Sequence, residues 1–505
     1  MSIQKRYLSS ILANTTRSGL SFLTGLLLAR FLGPVDYGRL SFLLASFLAI
    51  RQIFDAASSS AFFTFISQRN RSKKFIQYYW IWVGIQFLLP AFTIAVFLPE
   101  AWINSIWKGE DRGLVVIAFI ASFAQATVWM NTSQMAEAQR ETVKVQTINT
   151  ALVAVHLIVI LSLWYIGKLA ILFVFIALII EFSIGSWMAF GLYKSHEVEE
   201  HPSIDTPKSV FKEFWNYCLP FVPYSFLGFL HDFLDRWMLQ NWGGASEQAY
   251  YSISYQFAGV TLIATSSILR IFWKEIAEAY YLKDLPKVYG LYTKSLKGLY
   301  FIGAVLAGGL IPWTHEIITI TIGKEYIPGL FTMAIMFLYP IHQSMGQING
   351  TVLYATGHTR LQVLNGIFMM CLSLVVAFFL MAPKDFFIPG LELSSKGLAY
   401  KMLLVQVISV NILAFFIATL FRWKYNWFFQ VYSLVATLSI GWIVSYIIKQ
   451  VVGTDLSLLF ISNHLLKMFI AAPIYLLLIF GLLYSFPLIA GLTREELDKV
   501  IRYKR

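Results

Sequence analysis

The sequence predicts an all-α integral membrane protein with 14 transmembrane helices, arranged as two six-helix lobes and two carboxyl-terminal helices. Of its 505 residues, 58% are hydrophobic and 17% aromatic, whereas only 13% are charged, about half the share that is usual in soluble proteins. Each span needs about 20 apolar residues, so the spans leave little for a soluble domain. An outer-membrane barrel is excluded because its strands alternate polar and apolar residues instead of forming long apolar runs.

Apolar windows bounded by charged residues, proline or glycine predict the individual spans. Six spans fill the amino-terminal lobe, 1–195, and a charged connector follows at 196–213. Six more fill the carboxyl-terminal lobe, 214–422, and residues 423–505 hold two further spans and a charged tail. The spans are predicted at 10–32, 40–66, 75–98, 113–135, 145–166, 169–193, 214–242, 249–273, 298–320, 328–356, 361–381, 397–421, 428–452 and 464–492.

The charge balance is explained by topology. The 39 Lys and Arg outnumber the 27 Asp and Glu, and most of them fall on the cytoplasmic side if both termini are cytoplasmic, as the positive-inside rule requires. A nucleic-acid-binding role would need a basic soluble domain, for which the sequence has no room. The two cysteines, Cys218 and Cys371, lie in apolar stretches and exclude a disulfide framework. The sequence also lacks the Walker A, HExxH and Gly-x-Ser-x-Gly motifs, so neither a nucleotide motor nor a hydrolase is expected.

Polar side chains within the first two spans are candidate binding residues, because an ionised group at mid-membrane costs about 2.5 to 3.5 kcal/mol. In the first span Asn14, Arg17 and Ser21 recur every three or four residues and form a polar helix face. The second span places Arg51 and Asp55 four residues apart near its middle. Asn14, Arg17 and Arg51 are predicted to contact an anionic substrate, and Asp55 to tune Arg51 or carry a proton. The alternatives are a packing seam with Arg17 snorkelling to the interface, and a self-neutralising Arg51–Asp55 pair.

The seventh span carries the densest cluster of ionisable residues, namely His231, Asp232, Asp235 and Arg236. Asp232 with Arg236 and His231 with Asp235 are both separated by four residues, so one carboxylate can pair with the guanidinium while the other lies beside an imidazole. The pattern predicts a proton or sodium relay through Asp232 and Asp235, with Arg236 as a further substrate contact. A structural salt bridge is the alternative.

The remaining candidates are isolated polar groups. Glu181 lies alone in the sixth span and is either a site for a coupling ion or a structural residue. His156 is predicted to be a packing histidine. Gln347 is predicted to bind sugar hydroxyls and Tyr255 to stack on a sugar ring. No cofactor is expected, although Na+ or H+ is a candidate coupling ion. Several polar side chains of the fourth and tenth spans are either sugar ligands or contacts between helices: Gln125, Asn131, Gln134, His342, Gln343, Gln347 and Asn349.

Three segments of the sequence resemble a known family. The run LLARFLGPVDYG at 27–38 resembles the polysaccharide-transporter branch of the MOP flippase superfamily, the Wzx-like O-antigen and exopolysaccharide flippases. The pair Asp235-Arg236 followed by YYS at 250–252 is similar to the start of that family's second lobe, and GKEY at 323–326 is similar to a later segment. The resemblance covers roughly residues 1–425.

The resemblance implies a MOP/MATE-like fold in the bacterial inner membrane, with two lobes around a central cavity. It implies a flippase, not an enzyme, that moves undecaprenyl-pyrophosphate-linked oligosaccharide to the outer leaflet by alternating access. The implied partners are that lipid-linked oligosaccharide, membrane lipids and other polysaccharide-assembly proteins. A cationic role carries over to Arg17 and Arg51, whereas Asp55 and Asp232 match no family motif and are chosen on their chemistry alone.

Three other functions are compatible with parts of the pattern. A lipid II-type flippase would share the cationic cavity and differ in its glycan. A MATE-like exporter would favour an acidic cavity, against which the two arginines weigh. A membrane glycan polymerase or ligase would be expected to carry a large external loop, and the predicted external loops are short.

Overall fold

Helices account for the regular structure, and no β-strand occurs in the part of the chain that is described by the computed structural model. This part comprises residues 3–193, 205–451, 463–495 and 497, with side chains described throughout except at 3–13, 261–271 and 463. The predicted all-α class is therefore confirmed. The predicted connector up to residue 204 and the charged tail beyond residue 497 lie outside the described residues.

The chain forms two compact units, of which the first comprises Met1–Ala249 and Met381–Pro383. A π-helical turn at Ala124–Trp129 joins the fifth and sixth helices of this unit without a break. The helices of the first unit are α1 Ile3–Asp55, α2 Ser58–Gln68, α3 Lys73–Phe92, α4 Glu100–Trp107, α5 Arg112–Phe123, α6 Met130–Ala138, α7 Thr142–Tyr165, α8 Ile171–Gly191, α9 Pro207–Cys218 and α10 Val222–Met238.

The long helix α1 is kinked at Gly33, whose φ of +73° and ψ of 172° are not helical. Pro34 follows and cannot donate a backbone hydrogen bond to the preceding turn. The described part from Asn14 to Asp55 contains 42 residues, enough for about 63 Å of straight helix or two membrane crossings. The kink therefore falls between the first two predicted spans, within the run LLARFLGPVDYG.

The second predicted span is interrupted near its middle. Ala56 and Ala57 have φ values of +39° and +67°, so α1 ends at Asp55 and α2 begins at Ser58. Positive φ is uncommon for residues other than glycine, because the Cβ atom crowds the backbone. The span at 40–66 is thus two helices instead of one.

α10 lies within the predicted carboxyl-terminal lobe, and α9 runs from the predicted connector into that lobe, yet both belong to the first compact unit. α10 packs along α1, and Gly228 of α10 lies so close to Gln52 of α1 that an added Cβ would overlap the side-chain oxygen. α9 packs against α2, with Val210 in a hydrophobic cluster that also contains Phe65 and Phe75. The division into lobes at 196–213 stays a prediction.

The second unit comprises Tyr250–Leu380 and Lys384–Arg505. Its core contains Tyr300, Ile341, Val410 and Phe429, which come from four different helices. The helices that build it are α11 Ala245–Tyr281, α12 Leu285–Leu310, α13 Thr314–Thr321, α14 Leu330–Met336, α15 Tyr339–Ala355, α16 Thr359–Met381, α17 Ser394–Phe421, α18 Phe428–Val451 and α19 Asn463–Ser485. α12 and α18 approach closely where Gly308 meets Gly441, because neither residue has a side chain to separate the backbones.

Ten helices of the described chain are long and apolar enough to cross a membrane. One of them is the kinked α1, whose length accommodates two of the predicted spans. Membrane-length helices are thus present in both units, whereas the count of fourteen stays a prediction.

Candidate functional site

Arg17 and Arg51 line the same cavity, which lies in the first unit and has a volume of about 380 Å³. Both belong to α1, where 34 residues of straight helix would separate them by about 51 Å. The kink at Gly33 is therefore what allows one helix to bring both guanidinium groups to one cavity. The lining residues are Arg17, Arg51, Gln125, Ala126, Trp129, Met130, Ser133, Gln134, Glu137, Val145, Gln146 and Asn149.

Arg51 has no carboxylate partner among the described residues. Its Nη2 donates to the thioether sulfur of Met130 at 3.5 Å, a weak acceptor, and its buried Nε has no described acceptor. The alternative of a self-neutralising pair with Asp55 is not formed among the described contacts. Asp55 instead accepts hydrogen bonds from the Ser58 hydroxyl at 3.1 Å, the Ser59 backbone N–H at 3.0 Å and the Ser59 hydroxyl at 2.8 Å.

The reason is the end of α1 at Asp55. The first turn of α2 has backbone N–H groups without a helical partner, and the carboxylate turns toward them as a cap. Arg51 consequently retains donors that no described carboxylate uses.

Arg17 is partly buried, and its positive charge acts on the carboxylate of Glu137 on α6. Glu137 is the acidic residue of this cavity and was not predicted from the sequence. Asn14, one turn before Arg17, does not belong to the described lining. The cavity is thus cationic with one acidic side chain.

Uncharged amides complete the cavity wall. Gln125 and Gln134, two of the predicted candidates, line it together with Gln146 and Asn149 of α7. The side-chain oxygens of Gln134 and Gln146 are buried without a described hydrogen-bond donor. Gln146 and Asn149 are three residues apart on α7 and so lie on the same helix face, a signal that sequence reasoning missed.

Asn131, by contrast, is a contact between helices. It is fully buried, accepts a hydrogen bond from the Tyr79 hydroxyl at 2.8 Å and donates to the Thr127 carbonyl at 2.9 Å. With these two bonds its amide is occupied within the protein.

The cluster on α10 forms a chain of close contacts. His231 Nδ1 lies 2.8 Å from Asp232 Oδ1, and His231 Nε2 lies 3.9 Å from Asp235 Oδ2, so the expected proximity of His231 and Asp235 is present. Gln52 of α1 donates to the other Asp232 oxygen at 2.7 Å. Asp235 is buried, with 6% of its surface exposed. Arg236 is not among the described residues that line the cationic cavity, so the structure does not bring it together with Arg17 and Arg51.

Glu181 is not isolated, and the prediction on this point is wrong. His156 Nδ1 of α7 lies 2.8 Å from Glu181 Oε2 of α8, and only 6% of the glutamate is exposed. His156 is therefore the partner of a buried carboxylate and not simply a packing residue. The sequence could not show this, because the two residues are 25 positions apart on different helices.

In the second unit, Gln343 and Gln347 line a cavity of about 470 Å³. Tyr255 is not among its described lining residues; its ring lies 6.2 Å from that of Tyr339, with an angle of 40° between the ring planes. Asn349, fully buried, is bonded to Tyr292 and Val410 and is a contact between helices.

His342 of α15 likewise packs in the core of the second unit. It is buried, and its ring meets the Tyr300 ring edge-on at 5.6 Å. The predicted polar candidates of the tenth span thus divide between packing positions and the cavity.

The described helices, with their kinked first helix, place this chain in a known class of transporter folds. The structure of the lipid II flippase MurJ in an inward closed conformation is similar with a TM-score of 0.67 and 14% identity, over 95% of this chain and 99% of that one. An inward-facing multidrug resistance MATE family transporter of the MOP superfamily has a TM-score of 0.59 and 13% identity, over 82% and 99%. A MOP superfamily transporter from Pyrococcus furiosus has a TM-score of 0.52 and 10% identity, over 82% and 94%. The fold is that of MOP superfamily transporters, and the chain is a multi-pass membrane protein.

The family is defined by sequence. The profile of a family described as polysaccharide biosynthesis protein matches residues 3–272, more than half of the chain. The chain therefore belongs to the polysaccharide biosynthesis protein family, and the resemblance inferred from its motifs is confirmed. A search of curated protein sequences gives no significant match.

Proposed function

We propose that the chain is a flippase that moves undecaprenyl-pyrophosphate-linked oligosaccharide, an O-antigen or exopolysaccharide repeat unit, from the cytoplasmic to the outer leaflet of the bacterial inner membrane. Membership of a polysaccharide biosynthesis family supports the glycan, and a fold shared with a lipid II flippase supports a lipid-linked substrate. Alternating access is the proposed mechanism, with both termini in the cytoplasm.

The observation that carries the proposal is the convergence of Arg17 and Arg51 on one cavity. A guanidinium presents a planar set of N–H donors that matches phosphate oxygens, often with two parallel hydrogen bonds. Arg51 Nε is buried and has no described acceptor, a state that costs free energy until an anion arrives. A pyrophosphate group offers the charge and the acceptor oxygens that offset this cost.

The amides of the same cavity fit this substrate as well. Gln134 and Gln146 each have a buried side-chain oxygen without a described donor, and their NH2 groups can donate to phosphate or to the first sugar. A drug or cation exporter would instead need carboxylates to predominate, whereas Glu137 is the single acid lining this cavity in the described chain.

We propose that transport is driven by a proton or sodium gradient or by the membrane potential, through two buried carboxylate–imidazole sites. Asp235 lies beside His231 on α10, and Glu181 is hydrogen-bonded to His156 between α7 and α8. Each site places a carboxylate beside an imidazole, a pair of groups that proton relays use. Asp232, which also contacts His231, belongs to the first of these sites, whereas the hydrogen bonds of Asp55 favour a structural role.

The proposal is tested by deleting the gene and measuring the lipid-linked oligosaccharide in each leaflet with a membrane-impermeant reagent. We expect the complete oligosaccharide to accumulate in the cytoplasmic leaflet, and a plasmid-borne copy to restore its export. An unchanged leaflet distribution together with lost polymerisation would instead support a glycan polymerase or ligase. Accumulation of lipid II alone in the cytoplasmic leaflet would redirect the substrate to a peptidoglycan precursor.

A further inference from the structure

The cavity of the second unit has a chemistry unlike that of the first. Its volume is about 470 Å³, and four glutamines line it: Gln343 and Gln347 on α15, Gln362 on α16 and Gln406 on α17. None of its described lining residues is Asp, Glu, Lys, Arg or His. The cavity therefore attracts neither a phosphate nor a metal ion by charge, yet it concentrates hydrogen-bonding groups.

Two of these amides have hydrogen-bonding capacity that the described residues do not use. Gln362 Oε1 is buried and has no described donor, and Gln406 Nε2 donates to the His342 carbonyl across a long 3.4 Å. Leaving a buried amide oxygen without a partner is unfavourable, because the hydrogen bond that it made to water is not replaced. Asn349 of α15 differs from these two glutamines: its amide oxygen and its NH2 group each have a hydrogen-bond partner, as expected of a packing residue.

Two glycines of α15, Gly346 and Gly350, leave space next to the amides of α16 and α17. A Cβ on Gly346 would come within 2.8 Å of Gln406 Nε2, and a Cβ on Gly350 would lie 3.6 Å from Gln362 Nε2. The two glycines are one helical turn apart, so they open one continuous surface. A side chain at position 346 would displace the Gln406 amide, whereas one at position 350 would enter the cavity in ordinary van der Waals contact with Gln362.

An aromatic wall completes the cavity. The rings of Trp273 and Tyr354 are stacked at 5.7 Å with an angle of 7° between their planes, and both side chains are partly exposed. Flat aromatic faces of this kind bury apolar area of a ligand while leaving polar groups at its edge free for hydrogen bonds.

We infer that this cavity binds a neutral sugar residue of the glycan carried by the lipid, an inference that rests on the proposed function. Sugar hydroxyls both donate and accept, as amides do, and the C–H face of a pyranose ring suits an aromatic wall. The volume lies in the range of about 300 to 1,000 Å³ that is typical of small-ligand sites. Because no cation lines the cavity in the described chain, it selects neutral or N-acetylated sugars over uronic acids.

The experiment measures binding by the purified full-length protein in detergent, with two radiolabelled probes. One is undecaprenyl pyrophosphate without sugars, and the other is the lipid-linked oligosaccharide extracted from cells in which the gene is deleted. The ratio of the two dissociation constants reports the contribution of the glycan. The variant Gln347→Leu with Gln406→Leu removes two amides at similar side-chain size, and Gly350→Met fills the cavity while retaining every amide.

For the wild type we expect the glycosylated probe to bind at least about tenfold more tightly, since a site built for hydroxyls discriminates against ligands without them. Both variants should bring this ratio to about one while binding of the bare lipid is unchanged. Arg51→Ala should weaken both probes equally and leave the ratio as it is. Gln68→Leu, which removes an exposed amide at the end of α2, is the matched control.

Each outcome decides between the two proposals. A wild-type ratio of one, or a ratio that persists in both folded variants, overturns the sugar site while leaving the flippase intact. If the wild type binds neither probe, the proposed function itself fails. A monodisperse gel-filtration peak and an unchanged thermal midpoint show that a variant is folded. If the double variant does not fold, Gly350→Met alone provides the test.

Discussion

Two arginines of the first unit lie in contrasting surroundings. Arg71, in the loop between α2 and α3, has 2% of its side chain exposed and donates to both oxygens of Glu213 on α9. Asp205 lies 3.6 Å away, and the rings of Phe65 and Phe75 are 5.3 and 4.4 Å from the guanidinium carbon. Arg51 lines a cavity, and its described hydrogen-bond acceptor is a thioether.

The comparison shows that burial alone does not identify a ligand-binding arginine. The donors of Arg71 are used by carboxylates of the same unit, so this residue joins α9 to the loop before α3. Arg51 Nε has no described acceptor, so this donor can form a hydrogen bond with an anion that enters the cavity. We expect the first arginine to contribute to stability and the second to binding, and the following variants test this division.

The largest effect is expected from Arg71→Met. Removing the buried arginine leaves the partly exposed carboxylates of Glu213 and Asp205 without their cation, which should lower the free energy of unfolding by about 3 kcal/mol, the lower end of the range for buried pairs. The thermal midpoint in detergent should fall accordingly, whereas transport per folded molecule should stay near that of the wild type. Adding Glu213→Leu should restore much of the loss, because an apolar pair replaces the ionic one. A normal midpoint in the single variant would show that the pair contributes little.

Arg51→Ala should reduce transport about 100-fold, equivalent to about 2.7 kcal/mol of lost charge-assisted hydrogen bonding to the substrate. Stability should not fall, because the variant removes a buried cation without a described carboxylate partner. Flipping assays in proteoliposomes and thermal midpoints measure the two quantities. Arg51→Lys keeps the positive charge without the planar set of donors, so its transport rate should lie between those of the wild type and Arg51→Ala. Full transport by Arg51→Ala would make the residue structural.

Asp55→Ala should lower the free energy of unfolding by about 0.5 to 2 kcal/mol through loss of the cap on α2. Asp55→Asn keeps an oxygen acceptor at the cap, so it should retain both stability and transport. The thermal midpoint and transport under an imposed ion gradient are the measurements. If the asparagine variant folds normally but loses gradient-driven transport, the carboxylate carries a coupling ion after all.

The smallest effect is expected from Glu137→Gln, which removes the acid near Arg17. Binding of undecaprenyl pyrophosphate should tighten about two- to fivefold, the usual size of an exposed or partly exposed charge interaction. The gain should shrink as salt is raised, because screening weakens the repulsion that the variant removes. Weaker binding would indicate that Glu137 orients Arg17 toward the ligand.

The sequence was sufficient for the helical membrane class and, through its motifs, for the family, because these are local signals. It also singled out Arg17 and Arg51 as charges within spans, whereas their meeting at one cavity depends on the kink at Gly33. It failed where a partner lies far along the chain. The His156–Glu181 and Arg71–Glu213 contacts join residues 25 and 142 positions apart. The alternative of a self-neutralising Arg51–Asp55 pair fails for a different reason: two alanines with positive φ end the helix after Asp55, and no local sequence pattern predicts them.

The π-helical turn at Ala124–Trp129 sets which face of α6 is turned toward the cavity. Such a turn accommodates one residue more than an α-helical turn. Straightening of this turn into α-helix, with the number of residues unchanged, would rotate everything downstream by about 100° and carry Ser133, Gln134 and Glu137 off the cavity wall with no side chain replaced. A switch between π- and α-helical hydrogen bonding in this one turn can therefore create or erase this face.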